Sequence, residues 1–302
     1  MVYNVLFGQA KDLFQSLETG WNQKTSIMQK HQRSINQMLR QGLFALLVIF
    51  LAGSSSWAQK PYEGKTLLAV FAHPDDESTI SPILAKYARE GAKVHLVVVT
   101  DGRYGTNDFH DHKAGDELVV TRREEMRCAA ELLGVELTHL NFHDQLRAAE
   151  GYDGHVPHAR EMVKQLNDIV EKTKPDAIIT WGPDGGSTHM DHRLVGASIT
   201  QVYLSKDWQK PMSLYFYGTP LDNIDDADGK VLRGQASKYL RTKVPYTDED
   251  LEMAAKSYRC HYSQIDPMLT EADFMDRKSK NGKFVYLRKF EAPKSDSDSV
   301  FE

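Results

Sequence analysis

Between residues 66 and 217 the chain places five short apolar runs rich in β-branched residues, at 66–71, 94–100, 137–142, 177–181 and 214–217, and separates them by stretches of helical periodicity near 80–90, 117–133, 159–172 and 192–204. Strands separated by whole helices are joined by crossovers rather than hairpins, so they lie parallel in one sheet with helices packed on both faces. The expected fold class is therefore α/β, a three-layer sandwich around a mostly parallel central sheet. Gly91 and Gly134 stand where the glycine that closes a helix belongs.

The first run, Leu67-Leu68-Ala69-Val70-Phe71, ends abruptly in Ala72-His73-Pro74-Asp75-Asp76-Glu77. Metal-ligating and acid-base groups are thereby placed at the carboxyl end of a parallel strand, where open α/β sheets bind ligands. A second cluster, His189-Met190-Asp191-His192, follows the fourth run and a Pro/Gly-rich turn. His73 and Asp76, with Pro74 fixing one dihedral between them, converge on one point. His192 completes a set of two imidazoles and a carboxylate, which suits Zn²⁺ with one position left open, and Fe²⁺ or Co²⁺ accept the same donors. Such an ion lowers the pKa of its water to about 7. Asp75 adjoins a ligand and cannot easily share its ion, which frees it to act as general base. His189 is placed to protonate a leaving amine or to stabilise an oxyanion, and Asp191 to orient a ring nitrogen of one of the histidines. Singly, each residue reads as a helix-start carboxylate or a loop histidine; jointly, at two strand ends, they read as one metal site.

The formal charge of −5 carries no basic field, which excludes nucleic acid as the expected partner. From Met38 the chain reads Met-Leu-Arg-Gln, then ten apolar residues at 43–52, then Gly-Ser-Ser-Ser-Trp-Ala-Gln. This is the pattern of a secretory signal peptide over 38–58, cut after Ala58, and ten apolar residues fall short of the roughly 20 that span a membrane. Residues 1–37 form an N-terminal extension of unassigned role. The expected product is a periplasmic or secreted domain over 59–302, with no stable membrane anchor after cleavage. Export permits a disulfide between Cys128 and Cys260, but Cys128 sits in an apolar helical pattern and two buried thiols serve equally well. Residues 218–246 lack periodicity and read as an excursion from the sheet able to cover the site; their aspartates lack the spacing of a calcium loop. A disordered tail is expected from about 293. His110-Asp111-His112 reads as a solvated loop rather than a second metal clip, and His139, His143, His155 and His158 share no spacing that assigns them a role.

These residues resemble the PIG-L or LmbE-like family of zinc-dependent N-acetylglucosaminyl deacetylases. The resemblance rests on Ala72-His73-Pro74-Asp75-Asp76-Glu77 and His189-Met190-Asp191-His192. It is extended by Thr100-Asp101-Gly102, Arg122-Arg123-Glu124-Glu125, Asn141-Phe142-His143-Asp144 and His261-Tyr262-Ser263-Gln264. It implies a Rossmann-like sheet, zinc held by His73, Asp76 and His192, Asp75 as general base, His189 at the tetrahedral intermediate, and Arg122 and Asp144 against the sugar. Family members often carry glycine before the first histidine of the second motif, where this chain has Thr188. The expected activity is removal of an N-acetyl group from a small-molecule or oligosaccharide amino sugar. A non-catalytic glycan-binding protein of the same fold, or a metal-dependent hydrolase of another amide or an ester, are the alternatives.

Overall fold

The computed structural model describes residues 20–21, 24–25, 28, 30–42, 59–146 and 158–301, which fall in two compact units, Met1–Gln59 and Lys60–Glu302. In the first unit residues 30–42 are helical and exposed. The apolar run 43–52 and the expected cleavage site after Ala58 lie outside the described residues. No helix among the described residues is long and apolar enough to cross a membrane.

The second unit runs β1 (Thr66–Phe71), α1 (Ser81–Arg89), β2 (Lys93–Thr100), α2 (Asp116–Leu133), β3 (Glu136–Phe142), α3 (Ala159–Thr173), β4 (Ala177–Trp181), α4 (Met190–Leu204) and β5 (Ser213–Tyr217). These strands are parallel in the order β3-β2-β1-β4-β5. The sheet continues past the sequence-based expectation. Two antiparallel strands, β6 (Thr242–Pro245) and β7 (Phe284–Phe290), extend it to seven, with β7 between β5 and β6. Between them lie α6 (Asp248–Arg259) and α7 (Glu271–Ser279), each opened by a reciprocal Thr/Asp cap, Thr247 with Asp250 and Thr270 with Asp273.

Residues on successive positions of β1 point to opposite faces, and both faces are covered, which is why the run is apolar throughout. Leu67, Ala69 and Phe71 pack with Ile83, Leu84, Met126, Ala129 and Leu251 from α1, α2 and α6. Leu68 and Val70 pack with Met162, Leu166, Val195 and Ile199 from α3 and α4. Each fully buried Leu, Ile, Val, Met or Phe side chain among them stabilises the fold by about 1.5–3 kcal/mol. α4 lies directly on β4, because a Cβ at Gly196 would come within 2.3 Å of the Trp181 carbonyl oxygen.

The 218–246 excursion is ordered in part. Thr219–Pro220 pairs with Gly234–Gln235, and α5 (Ala227–Arg233) stands between them with Asp226 capping its N-terminus. One of the aspartates considered for calcium is thus a helix cap. Residues 293–301 contain no regular element. Of the two arrangements open to the cysteines, the structure takes the disulfide. Cys128 is exposed on the flank of α2 that meets the end of α6, and it bonds Cys260 there, with a Cα–Cα distance of 5.8 Å.

Candidate active site

β1 sits next to β2 on one side and β4 on the other, so the chain order reverses between β1 and β4. A crevice opens at the carboxyl ends of strands at such a reversal, and both motif clusters leave the sheet there. Trp181, the last residue of β4, donates from Nε1 to Asp76 Oδ2 at 3.2 Å, and the backbone amides of Ala72 (3.0 Å) and His73 (2.9 Å) donate to the same oxygen. With Oδ2 so occupied, Oδ1 is left facing His192 Nε2 at 3.2 Å.

His192, in the first turn of α4, stacks on Trp181 with 4.2 Å between ring centroids and donates from Nδ1 to the Gly185 carbonyl at 2.7 Å. His73 donates from Nε2 to Asp191 Oδ2 at 3.1 Å, with Asp144 Oδ1 at 3.2 Å. In that pattern His73 Nδ1 and His192 Nε2 face each other 3.1 Å apart as bare lone pairs, beside the Asp76 oxygen. Three acceptors confronting one another repel unless a cation lies among them, so the donor set fits a divalent metal on its own chemistry. Without a cation, burial alone would lower His73, but its contacts with Asp144, Asp191 and Asp76 hold its pKa well above the ordinary value. Burial pushes Asp76 up, yet hydrogen bonds from His192 and His73 hold it well below the carboxylate range.

Two further donor groups share His73 among the described residues, one with His189 and His192 and one with Asp144 and Asp191. In the second group both carboxylates are already engaged by backbone amides: Asp191 by Gln145 and Leu146, Asp144 by Tyr104 and Gln145. Those two aspartates hold His73 from behind. His189 caps α4, its Nδ1 accepting from the Asp191 amide at 3.2 Å, and its ring lies 4.7 Å from His73 and 4.6 Å from His192 between centroids. Burial and the neighbouring imidazoles lower its pKa, so the neutral ring carries its proton on Nε2 and is a donor there.

Asp75 lies at the mouth of the same turn. Its carboxyl is raised by burial, against the Arg122 guanidinium which lowers it, with Asp76 pushing it up further. Arg122 and Asp144, expected against the sugar, are both buried. Arg122 is 3% exposed and donates to the carbonyls of Gly102 and Pro74 and to Asp75 Oδ2 at 2.9 Å. The reason is its helical phase: Leu118, Arg122, Glu125, Ala129 and Leu133 lie on the buried face of α2.

Three groups escape a reading of motifs alone. Trp181 orients Asp76, Glu77 is fully buried and accepts from His261 Nε2 at 2.7 Å, and Glu125 accepts from the Ser263 amide and hydroxyl. Glu77 was visible only as a third carboxylate without a task. Thr188 has φ 65, the left-handed region in which glycine is favoured, so the departure at this position falls where a side chain is strained. His110 donates from Nε2 to the Ile265 carbonyl at 3.0 Å and joins no three-donor group among the described residues.

A cleft of about 650 Å³ opens over the site. Asp75, Asp76 and His192 line it from the strand ends; Tyr217, Asn223 and Arg233 from β5 and the excursion; Tyr258 and Arg277 from α6 and α7.

Over residues 68–203 the chain matches the PIG-L family, GlcNAc-PI de-N-acetylase. It is 34% identical over 143 residues to a 1D-myo-inositol 2-acetamido-2-deoxy-alpha-D-glucopyranoside deacetylase of Corynebacterium glutamicum, covering 43% of this chain and 49% of that protein. It is 32% identical over 136 residues to the diacetylchitobiose deacetylase of Thermococcus kodakarensis, covering 44% of this chain and 46% of that protein. The chain thus spans about half the length of these curated relatives. Among solved structures, N,N'-diacetylchitobiose deacetylase from Pyrococcus horikoshii superposes with a TM-score of 0.55 at 23% identity, covering 75% of this chain and 84% of that one. That likeness establishes the shared α/β fold.

Proposed function

We propose, from the match of residues 68–203 to the PIG-L family, that the protein is a metal-dependent hydrolase that removes the N-acetyl group from an N-acetylglucosamine-type sugar or glycoconjugate. The observation that carries this reading is the meeting of His73 Nδ1, His192 Nε2 and an Asp76 oxygen beneath an open cleft that Asp75 also lines. Two relatives named as deacetylases of acetamido sugars support the choice of bond.

A Zn²⁺, Fe²⁺ or Co²⁺ ion held by His73, Asp76 and His192 would supply Lewis acidity, lowering the pKa of water to about 7 and polarising the acyl oxygen. Asp75 takes a proton from the attacking water; its raised pKa makes it a stronger base than an ordinary aspartate, and Arg122 keeps its carboxylate aimed. His189 donates from Nε2–H to the oxygen on which negative charge develops. Asp75 then returns its proton to the departing amine, leaving acetate and the free amino sugar. Asn223, Arg233 and Thr219 place the excursion on the cleft, and we assign to it the selection among sugars.

Export belongs to the same proposal. A Cys128–Cys260 disulfide is suited to an oxidising compartment, in keeping with the signal pattern at 38–58. N-terminal sequencing of protein recovered outside the cytoplasm is expected to begin at Gln59; a chain that retains 43–52 refutes cleavage. The activity is tested by acetate release from N-acetylglucosamine, N,N'-diacetylchitobiose and an O-acetylated sugar, with metal-loaded and chelator-stripped protein. Release from the N-acetyl sugars by the loaded protein alone is expected. Release only from the ester, or glycan binding without release, overturns the assignment in favour of one of the two alternatives.

A further inference from the structure

Asp75 has φ 92 and ψ −20, a conformation that costs a non-glycine residue on the order of 1–3 kcal/mol and persists only where its surroundings enforce it. Two structures grip it. From one side, Arg122 on α2 donates to the Pro74 carbonyl and to Asp75 Oδ2. From the other, the Asp75 amide donates to Glu77 Oε2 at 3.1 Å, while Glu77 Oε1 accepts from His261 Nε2. Glu77 and His261 are both fully buried, so this carboxylate has no water to fall back on.

His261 is in turn fixed by what surrounds it in the chain. Cys260 is bonded to Cys128, Ser263 donates twice to Glu125, and Gln264 donates to the Gly105 carbonyl at 2.8 Å. Arg122, Glu125 and Cys128 follow one another at intervals of three along α2. The helix that holds Asp75 by its side chain therefore also anchors the segment that holds Asp75 by its backbone, and the disulfide is the covalent part of that anchor.

We propose that His261 is a positioning residue for the catalytic base, and that the Cys128–Cys260 disulfide locks it there, so that turnover depends on the oxidised state of a bond outside the cleft. The proposal rests on the reading of Asp75 as general base. Cys128 is exposed, so a dithiol reductant reaches the bond, breaking it to two thiols as the reductant closes to its own disulfide. Loss of the lock lets His261 withdraw from Glu77 and the turn relax from φ 92, moving the Asp75 carboxylate while His73, Asp76 and His192 keep their own partners. Misplacement on this scale costs on the order of 10- to 100-fold in rate.

The test compares the full chain oxidised, reduced and reoxidised, together with His261→Leu and His261→Gln, the second of which keeps an N–H donor near the place of Nε2. Measured are kcat and KM for acetate release, metal per chain, and amide hydrogen exchange in peptides covering 74–80 and 94–100. Reduction and His261→Leu are expected to lower kcat on the order of 10- to 100-fold with KM and metal content unchanged, and to speed exchange in 74–80 but not in 94–100. Reoxidation and His261→Gln are expected to restore both. Reduction needs no substitution, so it stays decisive if His261→Leu does not fold. Unchanged kcat and exchange on reduction overturn the clamp and leave the deacetylase reading standing. Faster exchange throughout the domain, or metal lost in parallel with rate, overturns it in favour of a merely structural bond. Faster exchange confined to 74–80 in a protein that releases acetate from no N-acetyl sugar upholds the clamp and refutes the deacetylase reading.

Discussion

Asp75→Asn and Asp76→Asn exchange the same atoms one residue apart and should fail in different ways. At position 75 the backbone lies at φ 92, a region that asparagine tolerates about as well as aspartate, so the substitution adds no strain. The amide oxygen of the new side chain still accepts from Arg122 Nη2, where Asp75 Oδ2 lies at 2.9 Å. Only the proton acceptor is gone, which costs about 10² to 10⁴ in kcat, or about 2.7 to 5.4 kcal/mol. Neutralising one of three successive carboxylates also relieves repulsion on Asp76 and Glu77, which offsets part of the charge pairing lost to Arg122. At position 76 the three N–H groups converging on Oδ2 demand the amide oxygen there. The NH₂ group is thereby turned toward His192 Nε2, donating into the lone pair that a metal needs. Metal per chain by elemental analysis, measured beside kcat, separates the two: Asp75→Asn should be loaded and slow, Asp76→Asn empty. Loss of metal in the first with full occupancy in the second reverses the assignment, and near-normal kcat in a loaded Asp75→Asn protein removes Asp75 from the mechanism.

Trp181→Phe deletes one of three donors to Asp76 while keeping a ring against His192, and should weaken metal affinity about 10- to 100-fold with kcat of the saturated protein little changed; equal affinity in a competition titration refutes the orienting role. Metal uptake should be pH-dependent with a defined sign. His73 is held above its ordinary value without metal, so binding must expel a proton there, and affinity should rise about tenfold per pH unit below that raised pKa and flatten above it; a dissociation constant independent of pH between about 5 and 7 contradicts this. Thr188→Asn places a residue that accepts φ 65 where a β-branched one is strained, and should stabilise the domain by about 1 kcal/mol, a rise of about 2–4 °C in Tm; no rise would mean the turn is not strained.

The parallel half of the fold and the convergence of the two motif clusters were legible because each depends on neighbours in sequence. A buried strand is a continuous apolar run; His73 and Asp76 lie immediately beyond the first such run, and His189 and His192 follow the fourth after one short turn. The antiparallel edge has no comparable local signature. Thr242–Pro245, the edge strand, is four residues ending in proline, and Phe284–Phe290 beside it carries Arg288 and Lys289 because only Val285 and Leu287 of that strand are buried. The helices between them carry local signals of their own in Thr247-x-x-Asp250 and Thr270-x-x-Asp273. Arg122 and Glu125 were misleading by type and informative by phase: charged residues spaced with Leu118, Ala129 and Leu133 belong to the buried side of a helix. The pairing of Glu77 with His261 spans 184 positions, and nothing local to either residue specifies the other.

The residues that fit a metal all lie between 73 and 192, whereas Tyr217, Asn223, Arg233, Tyr258 and Arg277, which face them across the cleft, all come later in the chain. Such an arrangement invites recombination, since a crossover between α4 and β5 would graft a new cleft wall onto an intact set of candidate metal ligands. Three joints restrict that freedom. Glu77 with His261, Glu125 with Ser263 and Cys128 with Cys260 each bind one half to the other, so they must be inherited together. A hybrid that breaks one joint leaves a buried carboxylate without its donor or a thiol without its mate, and successful exchange of specificity is confined to parents that share all three.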